Sequence, residues 1–337
     1  WVPVISRRFP PIFGLDCPMR RSVKGSSMPE PGLAALDDAL RDADLVDGVR
    51  VDYPVGGLTT YRVGGPAARF VRPANIAELE RVALAVTTAA GVGGVLPVLV
   101  IGRGSNLLVA DRGFAGLVIQ LGMGFEEITI DGDVVRAGGA ASLPVVARLT
   151  VASGLEGFEW AVGVPGSIGG AVRMNAGGHG SDMAAALMSA TTVDLQTGLT
   201  GTRSVGDLAL GYRTSTVTAS EVVVAAELRL IVGERSRGEE KLAEVVRWRR
   251  ANQPGGHNAG SVFANPPGDS AGQLVDTAGG RGLRIGSAEV SVRHANFIQA
   301  DEGGSAEDVA RLMAEVVRLV EEVHGVRLEP ETVLVGF

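Results

Sequence analysis

The chain concentrates glycine in two short segments, and this feature constrains its fold more than any other. The first, Gly102-Arg103-Gly104-Ser105-Asn106, directly follows the apolar run Val98 to Ile101, and the second extends from Gly163 to Gly178. Because glycine has no Cβ, main chain can approach a ligand or another backbone closely there. The two segments therefore predict loops that wrap around a flavin or a phosphate. A tight turn after a strand and a surface loop are the alternatives for such segments taken alone.

The remaining composition predicts an aliphatic core and more than one domain. The 337 residues include 48 Gly but only 9 Phe, 3 Tyr and 3 Trp, while hydrophobic residues make up 45%. The core must therefore consist of Val, Leu, Ile and Ala. Compact domains usually have about 100 to 200 residues, so the length predicts two or three of them.

Charge and metal-ligand residues exclude several classes of protein. The formal net charge is -7, and we find no block of like charges that would indicate a nucleic-acid-binding or membrane-binding arm. Cys17 is the sole cysteine, which excludes a disulfide within one chain and fits a reducing cytoplasm. The four histidines are scattered without the spacing of a zinc site, so we predict no metal.

Local patterns in the first part of the chain predict both helices and strands. A helix is expected over residues 32–47 and a strand over residues 59–63. Asn75, with Glu78 three residues further on, predicts the start of a helix. Apolar residues on both sides of Asp131-Gly132-Asp133 predict a β-hairpin.

The composition changes after Glu234, where we place a domain boundary. Residues 222–231 predict a strand before it, and residues 235–250 predict a charged helix after it. The last helix has the clearest pattern, because Ser305 is a typical N-cap, an apolar stripe follows, and Gly325 is a stop signal. We expect this last part of the chain to be an α+β domain.

The first glycine segment does not match the G-x-G-x-x-G fingerprint of dinucleotide-binding Rossmann folds. Leu107 and Leu108 stand where the third glycine would be, and the sequence predicts no helix after the turn. A dinucleotide would therefore have to be held by another fold.

The segments described above, together with several others, resemble the UDP-N-acetylenolpyruvoylglucosamine reductase family. The motifs follow the family's order over roughly residues 55–337, and a series of motifs is far more specific than any single one. The matching segments are Thr59–Ala67, Gly102–Leu108, Gly154–Gly157 through Asn175–Gly177, Gly211–Ser215, Asn258–Pro266, Ala271–Asp276, His294–Ile298 and Leu328–Glu331.

The resemblance implies an α+β protein with an FAD-binding domain of the vanillyl-alcohol-oxidase (PCMH) type and a smaller α+β substrate-binding domain. The FAD-binding region would cover residues 33–233, in two parts of about 33–105 and 106–233, and the substrate-binding domain residues 234–337. Residues 1–32 are predicted to be disordered or an extension ahead of a start near Met28.

The resemblance also implies FAD as cofactor and NADPH as reductant. Relatives that attach FAD covalently commonly use a histidine or cysteine in the first glycine turn, whereas this chain has Ser105 and Asn106, so we expect non-covalent FAD. The residues expected to bind it are Arg62, Gly102, Arg103, Gly104, Ser105, Asn106, Leu107, Gly163, Val164, Pro165, Gly166, Ser167, Gly169, Gly170 and Asn175.

The activity that the resemblance implies is the NADPH-dependent reduction of UDP-N-acetylglucosamine enolpyruvate to UDP-N-acetylmuramate, a step of peptidoglycan precursor synthesis. Arg213 matches the family's catalytic arginine, Ser261 its proton donor and Glu331 its catalytic glutamate, which follows a proline, unlike Glu329. Taken alone, these residues would be interpreted as a surface salt-bridge arginine, a turn serine and an exposed charged turn.

Five residues are expected to bind the substrate: Tyr212, Gln253, Asn258, Asn265 and His294. For His294 a structural role in the core is the alternative. One subclass of the family closes a tyrosine-bearing loop over the substrate. No tyrosine lies between Arg213 and Ser261, so the chain resembles the subclass that lacks this loop.

Two other functions are compatible with the sequence. One is a flavin oxidase or dehydrogenase of the same fold that acts on an alcohol or lactone, and the other is a non-catalytic nucleotide-sugar-binding protein. For the favoured reductase we expect small-molecule partners, no nucleic acid and no membrane, and a monomer in the cytoplasm.

Overall fold

A computed structural model describes residues 22–23 and 30–337. Helices and strands are interspersed along the chain. The helices are α1 (Glu30–Asp42), α2 (Ile76–Gly93), α3 (Leu143–Ala152), α4 (Ile168–Met174), α5 (Val205–Leu208), α6 (Arg235–Asn252), α7 (Ala271–Thr277) and α8 (Ala306–His324).

The strands form several small sheets rather than one large one. They are β1 (Ser22–Val23), β2 (Arg50–Tyr53), β3 (Ala67–Val71), β4 (Val98–Val100), β5 (Leu107–Val109), β6 (Phe114–Ile119), β7 (Ile128–Asp131), β8 (Val134–Gly138), β9 (Leu155–Glu156), β10 (Gly177–Gly178), β11 (Ser181–Asp182), β12 (Leu187–Asp194), β13 (Thr200–Ser204), β14 (Glu221–Arg229), β15 (Ile231–Val232), β16 (Arg284–Ile285), β17 (Ala288–Val290), β18 (Ile298–Ala300) and β19 (Val333–Val335).

The first part of the chain packs α1 and α2 against a four-stranded sheet with the order β2-β3-β6-β4. The predicted start of α2 is confirmed, because the Asn75 side chain accepts a hydrogen bond from the backbone N–H of Glu78 at 2.9 Å. The strand β4 ends immediately before the first glycine turn. A rigid strand thus fixes one end of that turn.

The second part is a five-stranded antiparallel sheet with the order β13-β12-β14-β8-β7. The predicted hairpin around Gly132 is confirmed as β7 and β8, and the predicted strand at 222–231 is confirmed as β14 with the short β15. Helices α3 and α4 contribute to the core on this sheet. The second glycine segment begins just before α4, so this core fixes it.

The third part has its core between α7, α8 and the sheet β16-β17-β18. The sequence predicts α8 correctly, because the Ser305 side chain accepts a hydrogen bond from the Asp308 N–H at 3.2 Å and the helix ends before Gly325. Helix α6, also predicted, does not join this core. Its Val245 packs into the core of the second part.

The strand β19 leaves the third part and returns to the first glycine turn. It pairs in parallel with β5, the strand that follows the turn, and the Val333 N–H donates to the Asn106 carbonyl at 3.0 Å. The third part of the chain is therefore attached to the first by main-chain hydrogen bonds next to the turn.

The predicted strand at 59–63 is wrong. The segment forms turns instead: the Thr59 hydroxyl donates to Gly56 O, the Arg62 N–H donates to that hydroxyl, and Arg62 has a left-handed φ of 54°. Tyr61 is completely buried and the Thr60 N–H donates to Gly104 O. The segment therefore supports the first glycine turn, and its β-branched residues do not indicate a strand.

For residues 1–32 the structure describes only β1, which pairs with β19, and the start of α1. The predicted extension at 1–21 and 24–29 lies outside the described residues. In the remainder of the chain, none of the helices is long and apolar enough to cross a bilayer.

Candidate active site

The two glycine segments meet face to face in the structure. A Cβ on Gly102 would lie 2.4 Å from the Ser167 hydroxyl oxygen, which belongs to the second segment. Gly104 has a φ of 61°, and a Cβ there would lie 2.5 Å from Leu58 O. The close backbone approach that the glycines predict is confirmed at Gly104, where a Cβ would collide with the main chain of Leu58 and Thr59. At Gly102 the close neighbour is a side-chain hydroxyl.

A cavity of about 320 Å³ opens between the two segments. Both glycine turns line it, and so do residues from the third part of the chain. The expected site residues in its wall are Gly102, Arg103, Gly104, Ser105, Asn106, Leu107, Gly163, Val164, Pro165, Gly166, Ser167, Gly170, Arg213, Gln253, Asn258, Ser261 and Glu331.

A second cavity of about 290 Å³ adjoins the first. Gly102, Arg103, Ser167, Gly170 and Arg173 line both, so the two cavities meet between the glycine turns. Two adjoining cavities that share glycine-rich walls suit a dinucleotide, whose diphosphate would lie at the junction. The residues present therefore fit FAD.

The three expected catalytic residues converge on the first cavity. Arg213 Nε lies 3.3 Å from Glu331 Oε1, and Ser261 lines the same cavity. The side chains of Arg213 and Glu331 are 25% and 12% exposed. Water therefore screens this ion pair less than it would a surface pair.

Main-chain contacts set the position of Glu331. Its N–H donates to Val262 O at 2.8 Å, which fixes it beside the segment that carries Ser261. The Asn106 side-chain amide donates to Glu331 O at 2.9 Å. The Glu331 carbonyl thus connects this candidate catalytic residue to the first glycine turn.

The position of Arg213 depends on an unusual backbone conformation. Its φ is 54°, in the left-handed region that non-glycine residues rarely adopt. One guanidinium nitrogen, Nη2, donates to Gly177 O at 3.0 Å, and the guanidinium lies 5.1 Å from the centre of the Tyr212 ring. Backbone strain of this kind is concentrated at functional sites.

Several expected residues lie outside the lining of the first cavity. Asn175 is buried and holds the loops of the site together, because its side chain bonds to Asp182, to Ala184 N and to Gly211 O. Arg62 lies in the turns of residues 59–63, which support the first glycine segment. Gly169 lines the second cavity.

The remaining three are candidate substrate residues. Tyr212 is 59% exposed, and its hydroxyl donates to Glu331 Oε1 at 3.4 Å. The Asn265 side chain accepts a hydrogen bond from Ala271 N at the start of α7. His294 packs edge-to-face on Phe297, and burial with the nearby Arg281 lowers its pKa. Their substrate-binding roles stay predictions.

Three titratable side chains that line the first cavity were not predicted from the sequence: Arg173, His179 and Arg249. Burial lowers the pKa of the Arg249 guanidinium, and burial with Arg249 lowers the pKa of His179, whose ring lies 5.1 Å from Trp248. Arg249 lies on α6. The charged sequence of this helix did not indicate that one of its faces is buried. A histidine directly after the second glycine segment was a signal that could have identified His179.

Comparison with known proteins agrees with this architecture. Residues 252–335 match the C-terminal domain model of UDP-N-acetylenolpyruvoylglucosamine reductase, and residues 66–202 match an FAD-binding domain model. UDP-N-acetylenolpyruvoylglucosamine reductase 2 of Symbiobacterium thermophilum is 40% identical over 290 residues, 86% of this chain and 92% of the relative. The chain belongs to the UDP-N-acetylenolpyruvoylglucosamine reductase family.

Other members of the family match over similar lengths. The reductase of Azorhizobium caulinodans is 40% identical over 307 residues, 91% of this chain and 96% of the relative. The crystal structure of UDP-N-acetylenolpyruvylglucosamine reductase from Thermus caldophilus superimposes with a TM-score of 0.72 at 35% identity, and covers 85% of this chain and 99% of its own.

Membership of the reductase family confirms the predicted fold class, which is α+β with a PCMH-type FAD-binding domain. It also identifies the chain as an FAD-dependent oxidoreductase of peptidoglycan precursor synthesis that uses NADPH as reductant. The alternatives of an alcohol or lactone oxidase and of a non-catalytic binding protein are thereby set aside.

Proposed function

We propose that the chain reduces UDP-N-acetylglucosamine enolpyruvate to UDP-N-acetylmuramate in the first cavity, with Arg213, Ser261 and Glu331 as its catalytic residues. One observation carries the proposal. Arg213 and Glu331, from distant stretches of the chain, form an ion pair of 3.3 Å in a cavity that Ser261 also lines. The reaction requires a stabilised enolate and a proton donor, and these side chains can supply both.

FAD would be held between the two glycine turns, without a covalent bond. The first turn offers Ser105 and Asn106 at the place where covalent relatives have a histidine or cysteine, and the Asn106 amide is already bonded to Glu331 O. Bound FAD would supply the hydride chemistry that links NADPH to the enolpyruvyl alkene. The protein contributes position, charge and a proton.

Arg213 would polarise the substrate carboxylate while the enolate forms. A guanidinium is permanently charged, and the bond to Gly177 O together with the Glu331 carboxylate holds it in one place. Charge fixed before the reaction stabilises a developing enolate without reorganisation. Glu331 would act beside it on the same side of the substrate.

Ser261 would protonate the alkene carbon next to the one that accepts the hydride. A hydroxyl is a weak acid at neutral pH, so its alkoxide must be stabilised by neighbouring donors or reprotonated through a relay. Arg213 lines the same cavity and can stabilise that negative charge. The pairing of Glu331 N with Val262 O keeps the serine segment in place during the step.

The nucleotide-sugar would bind at the end of the cavity formed by Gln253 and Asn258. Gln253 Oε1 is buried and, among the residues described, has no hydrogen-bond partner. A buried acceptor left unpaired costs free energy, so a ligand donor at this position would stabilise the complex. Asn258 bonds to Gly255 O, Gly256 O and Gly260 N, and thereby shapes this loop. Tyr212, Asn265 and His294 would complete the substrate contacts.

We further infer a monomer that works in the cytoplasm, with residues 33–233 as the FAD-binding region and residues 234–337 as the substrate-binding domain. Residues of one chain line both cavities, so a partner subunit is not needed to complete them. A reducing compartment supplies NADPH and suits a chain with a single cysteine. Size-exclusion chromatography with light scattering tests the oligomeric state.

An anaerobic assay in two steps tests the proposal. NADPH should bleach the visible absorbance of the bound flavin, and the enolpyruvyl nucleotide-sugar should then restore it. Bleaching by an alcohol or lactone in place of NADPH would favour the oxidase. Bleaching by NADPH without recovery on addition of the enolpyruvyl sugar would contradict the proposed substrate.

A further inference from the structure

Arg173 lies at the junction of the two cavities. It belongs to α4, which lies within the second glycine segment, and it lines both cavities. Its Nη1 donates to Thr218 O at 2.9 Å. The residue before Thr218, Val217, lines the second cavity, and the residue after it, Ala219, lines the first. The bond to Thr218 therefore places the guanidinium between the two cavities.

The charge of Arg173 is poorly compensated by the protein. Within residues 22–23 and 30–337, no carboxylate comes close enough to form a salt bridge with it. Glu221, the acidic residue that acts on it from a distance, is bonded to Arg203 and to Thr218 N. Burial lowers the pKa of the Arg173 guanidinium, and Glu221 opposes this effect only in part. A partly buried cation without an ion pair is costly unless a ligand anion neutralises it.

We propose that Arg173 binds the diphosphate of FAD. A planar guanidinium can donate two parallel hydrogen bonds to phosphate oxygens, and the junction between the glycine turns is where a dinucleotide spanning both cavities would carry its negative charge. The other arginine that lines both cavities, Arg103, is exposed, so its charge remains solvated. The inference rests on the FAD of the family and is independent of the roles proposed for the catalytic residues.

The binding of FAD to apoprotein tests this role directly. Flavin fluorescence titrations should give a Kd for Arg173→Met that is about 10- to 100-fold weaker than for the unmodified protein, the range expected for charge-assisted hydrogen bonds. The affinity for riboflavin, which lacks the diphosphate, should not change. Arg148→Met removes the same charge from an exposed position on α3 and should leave the FAD affinity unchanged.

The melting temperature of the apoprotein separates binding from folding. Because Arg173 forms no ion pair with the described carboxylates, Arg173→Met should melt at the same temperature as the unmodified apoprotein or higher, while the increase caused by FAD should shrink. An unchanged Kd for FAD would overturn the proposal. So would an equal loss of riboflavin affinity, since Arg173 would then act through packing.

A second variant keeps the test decisive if Arg173→Met does not fold. Arg173→Lys retains the charge but loses the bidentate geometry, so ADP should compete with FAD at least about fivefold more weakly than in the unmodified protein. Equal competition by ADP in the two proteins would overturn the role of the guanidinium.

Discussion

The two walls of the cavity are built by different means. The wall formed by the glycine turns presents main chain, and its fit depends on side chains being absent: at Gly102 and Gly104 a Cβ would collide with neighbouring atoms. The rest of the wall presents the charged and hydroxyl groups of Arg213, Ser261 and Glu331, and its geometry depends on hydrogen bonds between distant segments. The fit of the cofactor between the glycine turns should therefore be sensitive to added atoms, and catalysis to removed ones.

The largest effect should come from Ser261→Ala. This change removes a hydroxyl from the part of the wall formed by Arg213, Ser261 and Glu331 and leaves the glycine turns intact. Reduction of the flavin by NADPH should persist, while reduction of the enolpyruvyl sugar should slow by about 100- to 10,000-fold, the range of general acid catalysis. Anaerobic stopped-flow measurement of the two half-reactions tests this. Ser236→Ala, at an exposed position on α6, is the matched control. If both half-reactions slowed together, the two walls would not be functionally separate.

Arg213→Met should have the next largest effect on the same wall. Loss of a fixed positive donor typically costs about 2.7 to 4 kcal/mol of barrier, or about 100- to 1000-fold in kcat/KM for the substrate. Arg213→Lys has the same left-handed backbone requirement and should recover part of the rate, because it keeps the charge. If Arg213→Met instead bound FAD more weakly while the remaining holoenzyme turned over normally, Arg213 would be assigned to FAD binding.

Gly104→Ala tests the wall formed by the main chain of the glycine turns. The left-handed φ of 61° and the contact of 2.5 Å with Leu58 O should together cost about 2 kcal/mol or more. We expect a lower melting temperature and weaker FAD retention on gel filtration. Gly57→Ala, whose Cβ meets no atom of the described residues within 4 Å, is the matched control and should behave like the unmodified protein. Normal FAD retention by Gly104→Ala would show that the backbone of the turn can shift to accommodate a Cβ.

The smallest effect should come from Tyr212→Phe. The Tyr212 hydroxyl bonds to Glu331 Oε1 at 3.4 Å from a side chain that is 59% exposed, so its loss should lower kcat/KM by about threefold at most, at the lower end for a hydrogen bond. Steady-state kinetics in the enolpyruvyl sugar provides the measurement. A fall of two orders of magnitude would add Tyr212 to the catalytic groups.

The sequence predicted elements whose causes are local. The cap at Asn75, the hairpin at Gly132 and the amphipathic α8 each depend on residues a few positions apart, and all three are confirmed. The segment at 59–63 was mispredicted because its turns depend on Gly56 and Gly104, which lie outside it.

The candidate site was predictable in a different way. The density of glycine indicated the wall formed by the glycine turns. Arg213, Ser261 and Glu331 were identified only through resemblance to the family, because no short-range pattern links them. Arg173 and Arg249 were missed because only the packing of α4 and α6 buries them beside a cavity.

The return of β19 to β5 has a consequence for how the protein is made. Val333 and Glu331 contribute to the cavity wall, and both are bonded to Asn106, yet β19 is translated after every other described strand. A nascent chain that still holds this strand inside the ribosome has both glycine turns but an open cavity. Cofactor capture should therefore follow synthesis of the last strand, so a pool of FAD-free chains is expected whenever translation outpaces the flavin supply.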